Sequence, residues 1–197
     1  MAERKIYEQR PEICIWQPEY RKEHRMKGEV IQDKFIFRNI RQEEAEQAAK
    51  IEEICFPPNE ACTARAMKER IEYAADLFLV AEDKEIGKIA GFINGLATEE
   101  AVFRDAFFEN ARLHDPSGGN IMLLGVDVLP AYRRRGLAKE MMFQYLWKEQ
   151  QRGRRKVILT CLEAKVDMYK KMGFGNQKIA NSSWGGEQWY EMSCVLK

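Results

Sequence analysis

The segment NIMLLGVDVLPAYRRRGLAKEMM, residues 120–142, leaves a chain few ways to fold. Its first half is too apolar and too β-branched for a strand with one wet face, so it reads as a central strand buried on both faces, with Pro130 ending its pairing. An Arg-rich turn with a single glycine follows. Beyond it Ala138, Met141, Met142, Tyr145 and Leu146 stand at i, i+3, i+4, i+7 and i+8, the apolar stripe of a helix that ends near Gly153. The first N–H groups of a helix lack intrahelical partners, and the macrodipole adds partial positive charge there. Arg134, Arg135, Gly136, Leu137 and Ala138 are therefore placed to cradle a pyrophosphate, with Gly136 letting the backbone come close. Between Arg133 and Lys156 nine Lys or Arg stand against two acids, a local charge of +7 in a chain whose net charge is +1. Positive charge is thus gathered where an anionic cofactor would lie. A solvated helix cap is the competing reading of this turn.

Around this segment strands and helices alternate, which makes the chain α/β. Residues 1–32 combine Pro11, Pro18, Gly28 and dense alternating charge with too few spaced apolar residues for a core. They read as an N-terminal extension, and 33–197 as the domain. KFIFRNI reads as a strand, and the next helix carries Ala45, Ala48, Ala49, Ile51 and Ile54 until Pro57 and Pro58 stop it. Thr63 can cap a second helix through Ala66, Met67, Arg70, Ile71 and Ala74. LFLVAED and KIAGFINGLA read as a hairpin. Residues 98–119 read as a helical excursion, with Val102, Phe103, Ala106 and Phe107 on one side, that could cover a pocket. KVILTCL is a further strand, VDMYKKM a short helix stopped by Gly173, and QKIANSSW and EQWYEMSCVLK two last strands around Gly185 and Gly186.

Several function classes drop out. Neither G-x-x-x-x-G-K-[ST] nor G-x-G-x-x-G occurs, which removes the ATPase and dinucleotide readings. The near-neutral net charge, and the lack of aromatics among the RRR and RGRRK clusters, argue against nucleic acid as a partner. Apolar runs such as LFLVA fall short of the ~18 residues of a membrane span, and MAERKIYEQRPEI lacks the ~7–15 apolar residues of a secretory leader. The expectation is a cytoplasmic protein without a membrane partner. Cys14, Cys55, Cys62, Cys161 and Cys194 are odd in number and without a C-x-x-C pair, so free thiols are expected rather than a disulfide framework. His24 and His114 are far apart, and no metal site is expected.

Arg133-Arg134-Arg135-Gly136-Leu137-Ala138 resembles the R/Q-x-x-G-x-G/A signature of GNAT-superfamily N-acetyltransferases, and Tyr169-Lys-Lys-Met-Gly-Phe174 is similar to that family's late Y-x-x-x-G-F. The resemblance covers residues 33–197. CFPPNEAC, the long excursion and VILTCLEAKVDMYKKMGF are most similar to the arylalkylamine N-acetyltransferase group. The resemblance implies a mixed, mostly antiparallel central sheet flanked by helices and splayed between its two central strands, where acetyl-CoA inserts as cosubstrate. Backbone groups of Val126, Asp127 and Val128 would pair with the pantetheine arm, and the turn from Arg133 to Lys139 would take the pyrophosphate. Asp127 need not use its carboxylate and reads as an outward-facing strand residue.

The implied reaction is direct attack by a neutral amine on the thioester, with the oxyanion held by backbone N–H near Val126 and Tyr169 giving a proton to the leaving thiolate. Packing of Tyr169 beside Val166 and Met172 is compatible with that role. The sequence departs from the family at Met122 and Leu124, where the arylalkylamine enzymes place paired histidines, and at Leu162, where the superfamily often has Asn. Glu60, on the loop that resembles the amine-binding loop, is the candidate base or cation anchor, a solvated loop acid being its other reading. The expected activity is acetyl transfer to a primary amine, a small molecule with an apolar or aromatic body. Acetylation of a protein amino group and non-catalytic acyl-CoA sensing are the rivals.

Overall fold

The computed structural model describes residues 31–196, the side chains of 176 and 177 excepted. The extension expected over 1–32 lies outside them but for its last two residues, and Ile31 is buried in the main core. One helical turn, α1 (Ile31–Lys34), leads into β1 (Phe35–Asn39), α2 (Ala45–Cys55) and α3 (Ala64–Ala74). The hairpin of β2 (Phe78–Asp83) and β3 (Lys88–Thr98) follows, then α4 (Ala106–Glu109), β4 (Asn120–Val128) and α5 (Leu137–Gln151). The chain closes with β5 (Lys156–Leu162), α6 (Glu163–Lys170), β6 (Gly175–Ile179) and β7 (Trp189–Val195). The strands form one sheet in the order β1-β2-β3-β4-β5-β7-β6, with every neighbouring pair antiparallel except β4 and β5. This is the mixed α/β architecture that the sequence implied.

Helices cover both faces of the sheet, which is why β2 and β3 are apolar at nearly every position. Phe78, Val80, Ile89 and Phe92 pack with Ala48, Ile51, Met67 and Ile71 of α2 and α3, whereas Leu79, Ala81, Ala90 and Ile93 join Met141, Met142, Tyr145 and Leu146 of α5. Each large side chain buried in this way contributes roughly 1.5–3 kcal/mol, so the stripes decide how the helices dock. Thr63 caps α3 as expected, accepting from the Ala66 N–H at 3.1 Å. Ile54 departs from expectation, being 56% exposed, because the buried stripe of α2 runs through Ala48, Ala49, Ile51 and Glu52 and turns Ile54 away. Val102 is likewise exposed, and the excursion is less helical than its spacing suggested. The Asn110 side chain accepts from the Arg112 N–H at 3.0 Å, a local turn that breaks the helix after α4. Cys55, Cys62 and Cys161 are free thiols, while Cys194 is disulfide-bonded, against the expectation of free thiols throughout. An odd count rules out full pairing but not a single bridge.

β4 pairs with β3 along its whole length but with β5 only from Asn120 to Leu123. The β3 register jumps from Leu123 to Gly125, leaving Leu124 as a bulge. A bulge bends its strand and sharpens the local twist, so β4 parts from β5 beyond it. No helix among the described residues is long and apolar enough to cross a membrane.

Candidate active site

Where β4 and β5 part, a cavity of about 770 Å³ opens. Leu123, Leu124, Val126 and Val128 form one wall and Thr160, Cys161 and Leu162 another. Leu123 and Leu124 both face inward because a bulge sets neighbouring side chains on one side. Past Leu123 the backbone of β4 has no strand partner on the β5 side.

Arg134 at φ +59° and Gly136 at φ +83° both adopt the left-handed conformation in the turn before α5. For a residue with a Cβ this costs about 1–2 kcal/mol, and such strain gathers where backbone is shaped around a ligand. The first intrahelical bond runs from the Glu140 N–H to the Gly136 carbonyl, so the N–H groups of Leu137 and Ala138 lie ahead of the helical ladder. Of the predicted cofactor residues, Val126, Val128, Arg133, Arg134, Gly136, Leu137, Ala138 and Lys139 line the cavity, and Asp127 and Arg135 do not. Arg133 ties the turn to the strand end, its Nε donating to the Val128 carbonyl at 2.7 Å. A cradle of backbone N–H with cationic side chains around it fits a pyrophosphate.

Tyr169 lines the cavity from α6, with its ring edge-on to Phe174 at 5.7 Å. Burial, with the neighbouring Cys161 and Asp127, pushes its phenol far above the usual range, so the hydroxyl stays protonated and can donate. Glu60 lines the cavity from the loop between α2 and α3, and burial, with Glu187 nearby, raises its carboxyl. That loop is joined to the loop between β6 and β7: Trp184 Nε1 donates to the Glu60 carbonyl at 3.0 Å and Asn59 Nδ2 to the Gly185 carbonyl at 2.8 Å. Phe108 and Trp184, their rings 4.9 Å apart, give this side of the cavity an aromatic surface.

The model of the acetyltransferase (GNAT) family matches residues 42–174, which include both the turn and Tyr169. The chain belongs to the GNAT acetyltransferase family. It is therefore an acyltransferase by family. No curated protein matches it in sequence. Among solved structures, the loading GNATL domain of CurA from Lyngbya majuscula is similar with a TM-score of 0.72 at 16% identity, over 82% of this chain and 98% of that one. The GphF GNAT-like decarboxylase in complex with isobutyryl-CoA gives 0.69 at 18% identity, over 82% and 100%. The ribosomal-protein-S18-alanine N-acetyltransferase from Escherichia coli gives 0.59 at 14% identity, over 83% and 94%. At these identities the likeness is one of fold.

In this GNAT protein one expectation is overturned. Asp127 does not face outward but is fully buried, because α2 and α3 cover the face of β4 that it occupies. Around it are Glu52, Arg70 and Asn94, all buried and none of them singled out from the sequence as a site. Each left a signal there: Glu52 follows Ala48 by one turn on an apolar stripe, Arg70 interrupts the stripe of Met67, Ile71 and Ala74, and Asn94 stands in an apolar strand. Charge on a core-facing stripe is unusual and asks for a partner.

Proposed function

We propose that this GNAT protein transfers the acetyl group of acetyl-CoA to the nitrogen of a small primary amine with an apolar or aromatic body. The observation that carries the reading is a single cavity, opened by the parting of β4 and β5, that has the left-handed Arg134–Gly136 turn, Tyr169 and the Phe108–Trp184 pair in its walls. The unpaired backbone of β4 would hold the pantetheine arm as an added strand would, and the start of α5 would hold the pyrophosphate.

The neutral amine attacks the thioester carbonyl; a C–N bond forms and the oxyanion is held by backbone N–H near Val126. As the C–S bond breaks, the thiolate takes the Tyr169 proton, and the phenolate recovers one from the acceptor nitrogen. With ordinary values of ~10 and ~8.5 that transfer is uphill by about 2 kcal/mol. Desolvation raises thiol and phenol together, so a hydrogen bond that tightens on the sulfur is enough to help departure. Burial pushes the thiols of Cys55 and Cys161 up to about 11 and that of Cys62 to about 12, so none supplies a thiolate for a covalent acetyl intermediate, and direct attack is favoured.

The two hydrogen bonds that join the loops at Asn59 and Trp184 hold these loops together beside Glu60, and a cavity wall tied in this way supports a small acceptor over an extended peptide. The test is thiol release and product mass with the full-length protein, acetyl-CoA, and a panel of arylalkylamines, polyamines and short peptides. Amine-dependent release that is fastest with arylalkylamines is expected. Turnover with peptides alone would assign a protein acceptor, and acetyl-CoA binding without turnover would make the protein a sensor.

A further inference from the structure

Four polar side chains meet where α2 and α3 cover β4: Glu52, Arg70, Asn94 and Asp127, which are 3%, 3%, 1% and 0% exposed. Arg70 Nε and Nη1 and both amide atoms of Asn94 are buried without a hydrogen-bond partner, and the buried oxygens Glu52 Oε2 and Asp127 Oδ1 and Oδ2 have only each other's carboxyl and the Cys55 thiol beside them. The set is otherwise held in place, with Glu52 Oε1 accepting from the Cys62 N–H at 3.2 Å and Arg70 Nη2 donating to the Phe108 carbonyl at 3.0 Å. A methyl group on Gly125 would lie 2.9 Å from Asn94 Nδ2, 3.0 Å from Asp127 Oδ2 and 3.7 Å from Glu52 Oε2, so the bare Cα of Gly125 makes room between the two carboxyls. Glu52, Arg70 and Gly125 open this set to the cavity. Unmet polar atoms are scarce in protein interiors, and a concentration of them beside a cavity fits a polar guest.

The charge balance names the guest. Two carboxylates against one guanidinium leave the set one positive charge short, a gap that a proton or a cationic group would fill. We propose that the Glu52–Asp127 pair receives the amino group of the acceptor, Glu52 touching the nitrogen and Asp127, Arg70 and Asn94 positioning Glu52, so that pair and nitrogen share one proton. Burial, and Glu52 beside it, hold the Asp127 carboxyl far above its usual range, which keeps a proton on the resting pair. The other titratable groups packed around it are Cys55, Cys62, Arg70 and Tyr169, and the thiols and the phenol are all held protonated.

The acceptor arrives as an ammonium ion and the resting proton leaves to solvent. An N–H bond then breaks and an O–H bond forms on Glu52, which replaces two buried charges by two neutral groups and frees the nitrogen lone pair. Attack by that lone pair on the thioester rests on the acetyl-transfer reading, whereas binding of the ammonium ion does not. Proton uptake and the cation site thus both fall to Glu52, and Glu60 is left as an acid of the cavity wall.

The test is calorimetry of full-length protein saturated with CoA, titrated with phenethylamine in two neutral buffers of different ionisation heat. Binding needs no turnover, so absent acetyl transfer would overturn the activity and not the amine site. Wild type should release about one proton per amine bound, because a cation enters a set that already holds one. Asp127→Asn and Glu52→Gln remove the charge deficit with little change of shape, and release should fall to near zero in both. In the thiol-release assay Glu52→Gln should lose at least ~10²-fold in kcat/KM near neutral pH and recover as pH rises and the amine deprotonates unaided. The proposal is overturned by absent phenethylamine binding, by binding without proton release in the wild type, or by unchanged release in both variants at wild-type CoA affinity. The wild-type measurement stands even if a variant fails to fold.

Discussion

Tyr169→Phe removes one oxygen and nothing else. The ring lies edge-on to Phe174, 5.7 Å between centroids with 70° between planes, and that contact is indifferent to the hydroxyl. No hydrogen bond holds the hydroxyl among the described residues, so its loss leaves no buried donor or acceptor unmet, and the melting temperature should move by less than about 2 °C. Turnover should respond very differently. General-acid assistance is typically worth ~10²–10⁴-fold, which is about 2.7–5.4 kcal/mol of barrier. Because burial lifts the phenol far above its usual range, the hydroxyl is protonated throughout an assay window of about pH 6 to 9, and the deficit should be constant across it. The assay is thiol release at saturating acetyl-CoA with the best amine of the panel, with calorimetry for the acetyl-CoA dissociation constant. A kcat within about 3-fold of wild type would refute the reasoning, as would a fall in kcat matched by equal losses of affinity and melting temperature.

Gly136→Val forces a β-branched residue into a left-handed position, at a cost of at least ~1–2 kcal/mol or roughly 2–8 °C in melting temperature. Its Cβ would meet only Ile31 Cδ1 at 3.4 Å within the protein, so the new side chain stands on the ligand side of a strained turn and acetyl-CoA affinity should fall at least ~10-fold; unchanged affinity would reduce the turn to a helix cap. His114 Nδ1 accepts from the Ala97 N–H at 3.1 Å, which requires that nitrogen to be unprotonated, and burial holds the ring pKa below its ordinary 6.5. As pH falls the unfolded chain therefore takes up this proton first, and stability present above about pH 6.5 is lost below it. The melting temperature should drop between about pH 7 and 5 in wild type and drop less in His114→Gln, and equal slopes would assign the loss to other groups.

Most elements are legible because each is announced by local chemistry. The apolar continuity of β2, β3 and β4 reports helices on both faces, Thr63 announces α3, and the stripe of α5 survives nearly whole in the fold, with Ala138 turned to the cavity instead. The Arg-rich turn and Tyr169 are legible as motifs. Asp127 is not, because its surroundings depend on how α2 and α3 cross β4, and no spacing within VDV encodes that. Glu52 and Arg70 are visible as charge on apolar stripes, but the pairing that gives them a purpose joins separate elements. The loop contact of Asn59 with Gly185 spans most of the chain and has no local signature at all.

The bulge at Leu124 also sets which mutations a lineage of such proteins can survive. Leu123 and Leu124 share a face, so deleting Leu124 would restore plain alternation and leave Val126, Asp127 and Val128 opposite Ile93, Phe92 and Gly91 as before; what it would remove is the bend that parts β4 from β5, closing the cavity in a single step. Substitutions between Gly125 and Gly136 can retune the wall one position at a time, but a change of length in the strand after the bulge would turn every later position at once. The excursion between β3 and β4 is under no such phase restriction except where it rejoins the sheet, since a side chain at Gly118 would strike the Thr98 backbone. Insertions and deletions should therefore accumulate in that excursion, and acceptor preference should drift there and in the two joined loops while the cofactor strand keeps a fixed count.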